Sequence, residues 1–180
     1  MHGVLFAELK QFVVAKAGGE AWNQLCKEAG LEGKVFLPNQ AYADGDLESL
    51  VVAGSKVTGI PVPQLQEAFG AYIAPQLLKL YGTQINPAWR TLDIVDHTES
   101  MVHRIVRIKM PGAQPPRLVT TRTDPNTVVM EYTSQRKMCA VAIGIIRGVG
   151  THFKENIDVT ESECMHKGAQ RCLVTVRRKA

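Results

Sequence analysis

The 180-residue sequence contains no apolar run close to the roughly 20 residues that a membrane-spanning helix needs. No apolar segment with a small-residue cleavage site follows Met1, so a secretory signal peptide is not indicated. The 4 cysteines are too few and too unevenly spaced for the disulfide framework of a secreted protein, which leaves metal binding or redox chemistry as their possible roles. These absences predict a cytoplasmic protein with no membrane partner.

Charge of one sign and catalytic motifs are also scarce. The 21 basic and 17 acidic residues give a net charge of +4, and only Arg177, Arg178 and Lys179 form a basic cluster, which is typical of a solvated tail. Nucleic acid is therefore not an expected partner. The sequence has no nucleophile elbow, phosphate-binding loop or His-Glu-x-x-His pair, so hydrolase and nucleotidyl-transfer activities are not expected.

The hydrophobic content of 45% is sufficient for a continuous core. Apolar residues at helical spacing predict five helices, over residues 4–17, 20–29, 44–57, 61–80 and 92–110, with a bend in the fourth at Pro75. Segments rich in Val and Thr then predict two hairpins, with strands over 117–123, 127–133, 157–160 and 172–176, and a helix over 138–153 between them. The predicted fold class is α+β, with a helical amino-terminal half followed by a four-stranded antiparallel sheet and an inserted helix.

A candidate binding site extends from His103 to Arg136. His103 lies at the edge of the apolar stripe of the fifth helix, where a single histidine is more often a satisfied core residue than a ligand. Tyr132, Ser134 and Arg136 alternate along a predicted strand end, so they project together and offer a receptor for carboxylate or phosphate. A planar apolar ligand with two carboxylates and a metal that binds imidazole would be haem. The alternative is a core histidine beside an ordinary strand end.

These residues resemble a known family. His103, the run Gly112-Ala113-Gln114-Pro115-Pro116-Arg117 and the motif Tyr132-x-Ser134-x-Arg136-Lys137-Met138 resemble the haem nitric oxide/oxygen binding (H-NOX) family, which is related to the haem domain of soluble guanylate cyclase. The resemblance covers nearly the whole chain. It implies one domain over residues 1–180, with a helical subdomain over about 1–60 and a haem-holding subdomain over about 61–180.

The resemblance also implies a role for each residue of the motif. His103 matches the proximal ligand of the iron of haem b, and Tyr132, Ser134 and Arg136 match the residues that hold the haem propionates. Pro116 matches a proline that presses on the porphyrin, which suits a ring whose φ is fixed. By the family's behaviour, NO bound opposite His103 would weaken the bond between iron and histidine and let the haem relax.

The distal pocket of the family decides which gas is bound. Oxygen-binding members place a tyrosine on the helix after the Tyr-x-Ser-x-Arg motif, and Val141 stands at that position here. Leu9 and Ile73 match the other distal positions and supply no hydrogen-bond donor either. Losing a hydrogen bond worth about 1.5–3 kcal/mol would lower oxygen affinity by roughly ten- to a hundredfold or more. The sequence therefore predicts a sensor that binds NO and CO but not oxygen.

Cys139, Cys164 and Cys172 form a second candidate site, with His166 nearby. They are either three unrelated thiols or a zinc site with His166 as the fourth ligand. Some bacterial H-NOX proteins resemble this arrangement, but Glu161 stands where their histidine is expected.

The expected function is a stand-alone sensor without catalytic activity that acts through a separate protein. For that partner the family suggests a histidine kinase or a cyclic-di-GMP enzyme. The alternative is a thiol or zinc redox-sensing module that uses the three cysteines.

Overall fold

The structure is a computed structural model that describes residues 3–110 and 112–179. The helices are α1 (Gly3–Ala17), α2 (Gly19–Glu28), α3 (Asp44–Thr58), α4 (Val62–Leu80), α5 (Thr91–Thr98), α6 (Arg104–Lys109) and α7 (Cys139–His152). The strands are β1 (Arg117–Asp124), β2 (Thr127–Thr133), β3 (Ile157–Glu163) and β4 (Cys172–Arg178). Short 3-10 turns lie at Gly82–Gln84 and Met165–Lys167. The predicted α+β class is confirmed. None of the described helices is long and apolar enough to cross a membrane.

The four strands form one antiparallel sheet in the order β1-β2-β4-β3. Alternate residues of the two central strands are buried on one face, and these are Val128, Met130, Tyr132, Cys172, Val174 and Val176. Helices α5 and α7 contribute Val95 and Ile143 to the same hydrophobic cluster. The register pairs Tyr132 with Leu118 on one side and with Cys172 on the other.

A second cluster fills the helical part. Phe6 stacks on Phe36 with ring centroids 4.3 Å apart, and Tyr42 meets both rings edge-on. Helix α7 belongs to both clusters, because Val141 packs in this one and Ile143 in the sheet cluster. The division into subdomains near residue 60 stays a prediction.

Helices α4 and α7 pack backbone against backbone through glycines. A Cβ atom at Gly70 would overlap the carbonyl oxygen of Val141, and one at Gly144 would overlap the carbonyl oxygen of Glu67. Any larger residue at these points would force the helices apart. The pair therefore forms a closely packed wall.

The helix predicted over residues 92–110 is divided in the structure. A π-helical turn over Glu99–His103 separates α5 from α6. Single-turn π-helical bulges of this kind are rare in proteins, and those that occur are often found at functional sites. The spacing of apolar residues does not reveal the turn here, because Val95 and Val102 lie seven residues apart, as on one face of a continuous helix. Pro75 lies within α4, which continues to Leu80.

Candidate cofactor site

An apolar cavity of about 290 Å³ lies between α4, α7, the α5 to α6 segment and the first two strands. Aliphatic and proline side chains make most of its wall. The side chains with polar groups that line it are Tyr81, Thr98, His103, Gln114, Tyr132, Ser134 and Arg136. A concave, mostly apolar site with few polar groups is the usual form of a cofactor pocket.

The cavity brings together most of the residues singled out from the sequence. His103, Pro116, Tyr132, Ser134, Arg136, Val141 and Ile73 all line it. Leu9 does not line it; its side chain is 5% exposed and packs in the helical cluster. Leu5, one turn earlier on the same face of α1, lines the cavity instead. Only the first turn of α1 therefore reaches this space, which a gapless comparison of sequences does not show.

His103 ends the π-helical turn, and its side chain is 14% exposed. Burial lowers the pKa of His103, while the neighbouring Glu99 opposes that shift without cancelling it. The imidazole is therefore neutral at physiological pH. Nδ1 lies 3.0 Å from Oε2 of Glu99, so Nε2 is the nitrogen not used in that contact. A neutral imidazole is the form that binds a metal.

Tyr132 lies in β2, whereas Ser134 and Arg136 follow the strand in a turn. The expectation that all three alternate along one extended strand is therefore wrong for the last two. The turn, and not strand alternation, brings Ser134 and Arg136 to the cavity. Within it Ser134 Oγ accepts a hydrogen bond from the Arg136 backbone N–H at 3.2 Å, and Lys137, with φ 49°, follows before α7 begins.

The three side chains provide donors at the rim of the cavity. The Arg136 guanidinium donates to the backbone carbonyl of Gln114 and lies 3.3 Å from Oδ1 of Asp44. Burial raises the pKa of Tyr132, which keeps its phenol protonated and able to donate. A guanidinium, a phenol and a hydroxyl together suit carboxylate groups.

The donor side chains and the cavity wall both fit haem. The wall is apolar where the ring would lie, a neutral imidazole is available for iron, and donors for two carboxylates stand at the rim.

The cysteine cluster includes Cys139, three residues after Arg136, and its donors differ from the expected set. One ligand atom from each of Cys139, Cys164, Cys172 and Glu161 lies within 4.8 Å of all the others. His166 is not part of the cluster, because its Nε2 lies 2.6 Å from the Lys137 carbonyl oxygen. The fourth group is thus Glu161, not His166. The correction follows from the fold, since Glu161 lies on β3 beside β4 while His166 lies in the turn between these strands.

Two thiols of this cluster, those of Cys139 and Cys172, are held in their neutral form. The Sγ atom of Cys164 lies 3.9 Å from that of Cys139 and 4.0 Å from that of Cys172. Burial and the neighbouring groups raise the pKa of Cys172 to about 11 and raise that of Cys139 further. One carboxylate oxygen of Glu161 is buried without a hydrogen-bond partner. Four convergent donors, one of them unsatisfied, are suited to a cation that displaces the thiol protons.

Comparison with known proteins identifies the family. The sequence profile described as Haem-NO-binding matches residues 2–161. The chain belongs to this haem-NO-binding, or H-NOX, family. The predicted resemblance is confirmed. H-NOX domains bind haem and act as sensors, and they are not catalytic themselves.

Solved H-NOX structures share the fold. The H-NOX protein of S. oneidensis in the Fe(II)NO ligation state superposes with a TM-score of 0.93 over 100% of both chains, at 24% identity. The Fe(II) unliganded H-NOX protein of K. algicida superposes with a TM-score of 0.90 over 100% of this chain and 97% of that one, at 19% identity.

The chain also resembles part of two much longer proteins. The soluble guanylate cyclases gcy-31 and gcy-32 of Caenorhabditis elegans are 21% and 22% identical over 76% and 89% of this chain. The chain spans only 20% and 24% of their lengths.

Proposed function

We propose that this H-NOX chain is a gas sensor that binds NO and CO at the ferrous iron of haem b, excludes oxygen and signals to a separate partner protein. The observation that carries the proposal is the cavity itself. It places the imidazole of His103 and the donors of Tyr132, Ser134 and Arg136 around one apolar space. Haem supplies the iron at which the gases bind, and the chain's residues decide how that iron is held.

Each residue has a separate task in this proposal. His103 binds iron through Nε2, the nitrogen that does not face Glu99. Tyr132, Ser134 and Arg136 bind the carboxylates, and Pro116 limits the space available to the ring because its own ring fixes φ. If His103 let go of the iron, the segment after the π-helical turn would be free to move, because no residue of α6 is fully buried. That release is the event a partner, a histidine kinase or a cyclic-di-GMP enzyme, would detect.

Oxygen exclusion rests on the distal wall. Val141, Ile73 and Leu5 line the cavity and have no donor. Two hydroxyl groups outside the rim also line it. Thr98 Oγ1 is engaged, because it donates to the Ile94 carbonyl at 2.6 Å. Tyr81 keeps its proton, since burial raises its pKa, and it is the residue whose replacement tests the proposal.

Absorption spectra of the purified, haem-loaded protein test the function. We expect a Soret band that shifts when NO or CO is added to the reduced protein and does not convert to an oxygen-bound form in air. A protein that acquires no Soret band, even when haem is supplied, contradicts the haem proposal. A stable oxygen complex that disappears in Tyr81→Phe contradicts oxygen exclusion alone and identifies Tyr81 as the donor.

We also propose that the cysteine cluster binds zinc through Cys139, Cys164, Cys172 and Glu161. The four convergent donors and the unsatisfied oxygen of Glu161 support it. Metal analysis after mild chelation should find about one zinc ion per chain, as one set of four donors implies. Cys164→Ser should lose this metal and Glu161→Gln should bind it more weakly, whereas His166→Ala should retain it. Wild-type protein without zinc, or loss of zinc in His166→Ala, would contradict this assignment.

A further inference from the structure

Glu99 is the first residue of the π-helical turn that ends at His103, and its carboxylate contacts three groups. Oε2 lies 3.0 Å from Nδ1 of His103 and accepts a hydrogen bond from the backbone N–H of Leu118 at 3.1 Å. Oε1 accepts a hydrogen bond from the Arg107 guanidinium at 2.7 Å. One carboxylate therefore joins the turn, α6 and the start of β1.

These contacts decide which nitrogen of His103 carries the proton. A guanidinium and a backbone N–H can only donate, so the carboxylate that they share acts as an acceptor. Nδ1 of His103 must then donate to Oε2, which leaves the lone pair of the neutral imidazole on Nε2. Histidines that bind metals in proteins almost always donate their other N–H to such a partner, which fixes the ring and raises its basicity.

We infer that Glu99 is the positioning residue of the proximal side: it selects the His103 tautomer whose lone pair is on Nε2, and it connects the imidazole to β1 through the Leu118 backbone N–H. This inference rests on the proposed function, because it assumes that His103 binds the haem iron. Glu99 itself does not contact the iron in this assignment. Its effect passes through the orientation and basicity of the imidazole.

Arg107 extends the same network to Pro116. Its guanidinium donates to Oε1 of Glu99 at 2.7 Å and to the backbone carbonyl of Pro116 at 3.3 Å. The proposed iron ligand and the proline that lines the cavity are therefore connected through one carboxylate and one guanidinium. A movement of the His103 ring is resisted by hydrogen bonds to β1 and transmitted to the segment that holds Pro116.

The iron–histidine stretching band in the resonance Raman spectrum of the ferrous, haem-loaded protein tests this inference. Glu99→Gln keeps the shape and an acceptor oxygen but removes the charge, whereas Glu99→Ala removes the contact. We expect the band to move to lower frequency in the order wild type, Glu99→Gln, Glu99→Ala, because the imidazole becomes a weaker base. Transfer of haem to apomyoglobin should be about 10- to 100-fold faster in Glu99→Ala, the usual cost of losing such a partner.

Asp96→Asn is the matched control. Asp96 is a carboxylate on α5, one turn before Glu99, and its partner is Arg122 at 3.7 Å. Its replacement changes the charge of the same segment without touching His103, so the band should stay at the wild-type frequency. A merely structural role for Glu99 would lower thermal stability and leave the band in place.

The two proposals fail in different ways. The haem proposal requires an iron–histidine band that is present in the wild-type protein and lost in His103→Gly. If no such band is found, the haem proposal itself is wrong. If that band is present and lost in His103→Gly but unchanged in both Glu99 variants, His103 binds iron without help from Glu99. If the band shifted equally in Asp96→Asn and Glu99→Gln, the shift would come from the loss of a nearby negative charge and not from the contact with His103. That result would also overturn the assignment.

Discussion

The two sides of the cavity are built in opposite ways. On the distal side α4 and α7 pack through Gly70 and Gly144, and the cavity wall consists of aliphatic side chains such as Ile73 and Val141. On the proximal side a π-helical turn and α6 have no fully buried residue, and the Glu99 carboxylate holds them to the sheet by accepting a hydrogen bond from the Leu118 backbone N–H.

The difference separates rigidity from mobility. Backbone packing at glycines leaves no room for adjustment, so in the proposed site the wall formed by α4 and α7 would keep its shape when a ligand binds. A segment with little buried apolar area is held by a few polar contacts, and such segments open at low free-energy cost. In the proposed haem site, the wall that carries His103 would therefore be the one suited to move, and the wall that carries Val141 would be the one suited to select the gas.

The largest expected effect concerns Leu9, which packs behind the distal wall without lining the cavity. Leu9→Ala should lower the free energy of unfolding by about 2–5 kcal/mol, because it leaves a void beside Phe6 and its neighbours. CO affinity should remain unchanged, as measured by titration of the reduced protein. Leu5→Ala is the comparison variant: Leu5 is half-buried and lines the cavity, so it should alter CO binding with a smaller loss of stability. The reverse pattern would place Leu9 in the pocket after all.

Close packing of α4 against α7 is tested by Gly144→Ala. The added Cβ atom would overlap the Glu67 carbonyl oxygen, so unfolding in urea should show a loss of about 1–3 kcal/mol. Gly45→Ala in α3 is the control, since nothing lies within 4 Å of its added Cβ atom. That variant should be neutral or stabilised by about 0.4–1 kcal/mol. Equal effects of the two changes would show that the helices have room to separate.

The helices and strands could be predicted because apolar periodicity records which face is buried. Val128, Met130 and Tyr132 alternate as a half-buried strand requires, and the structure buries all three. The π-helical turn at Glu99–His103 could not, because one inserted residue is a local rearrangement of backbone hydrogen bonds that the apolar pattern does not record.

The site was predictable only in part for a related reason. His103 and the rim residues belong to motifs, but the carboxylate beside His103 depends on how α5, α6 and β1 meet. Leu9 and His166 were assigned to the two sites from their positions along the sequence. In the structure Leu5, and not Leu9, reaches the cavity from α1, and Glu161 of β3, and not His166, lies beside the cysteines.

Gas selection by the distal wall is tested by Val141→Tyr. A phenol at this position would supply the donor that the aliphatic wall lacks, and we expect oxygen affinity to rise about ten- to a hundredfold, equivalent to about 1.4–2.8 kcal/mol. Stopped-flow mixing of the reduced protein with oxygen measures this. Val141→Phe has the same ring without the hydroxyl and should not gain affinity. A gain shared by both variants would point to a change of shape and not to a hydrogen bond.

The smallest expected effect concerns the polar anchoring of the proximal side. Glu155, in the loop before β3, accepts a hydrogen bond from the Thr91 backbone N–H at 3.0 Å and lies 3.5 Å from the Arg178 guanidinium of β4, so it connects the start of α5 to the sheet. Burial raises the pKa of Glu155, but its hydrogen bonds with Thr91 and Arg178 outweigh burial and hold the pKa below its usual value. A carboxyl group with a lowered pKa stabilises the fold above its unfolded-state pKa of about 4.3, and this stabilisation is lost as pH falls through the folded-state pKa.

Glu155→Gln should therefore be about 1 kcal/mol less stable than wild type at pH 7, and the difference should shrink as pH falls below about 4.3. Urea unfolding across this range measures it. Asp158→Asn is the control, because Asp158 is 45% exposed and pairs only with Lys179 at 3.4 Å among the described residues. Its removal should change the stability at pH 7 only slightly, because exposed ion pairs contribute little. Two results would show that α5 does not depend on Glu155. One is a wild-type stability that does not change with pH over this range, and the other is a Glu155→Gln variant whose stability changes with pH as much as that of the wild type.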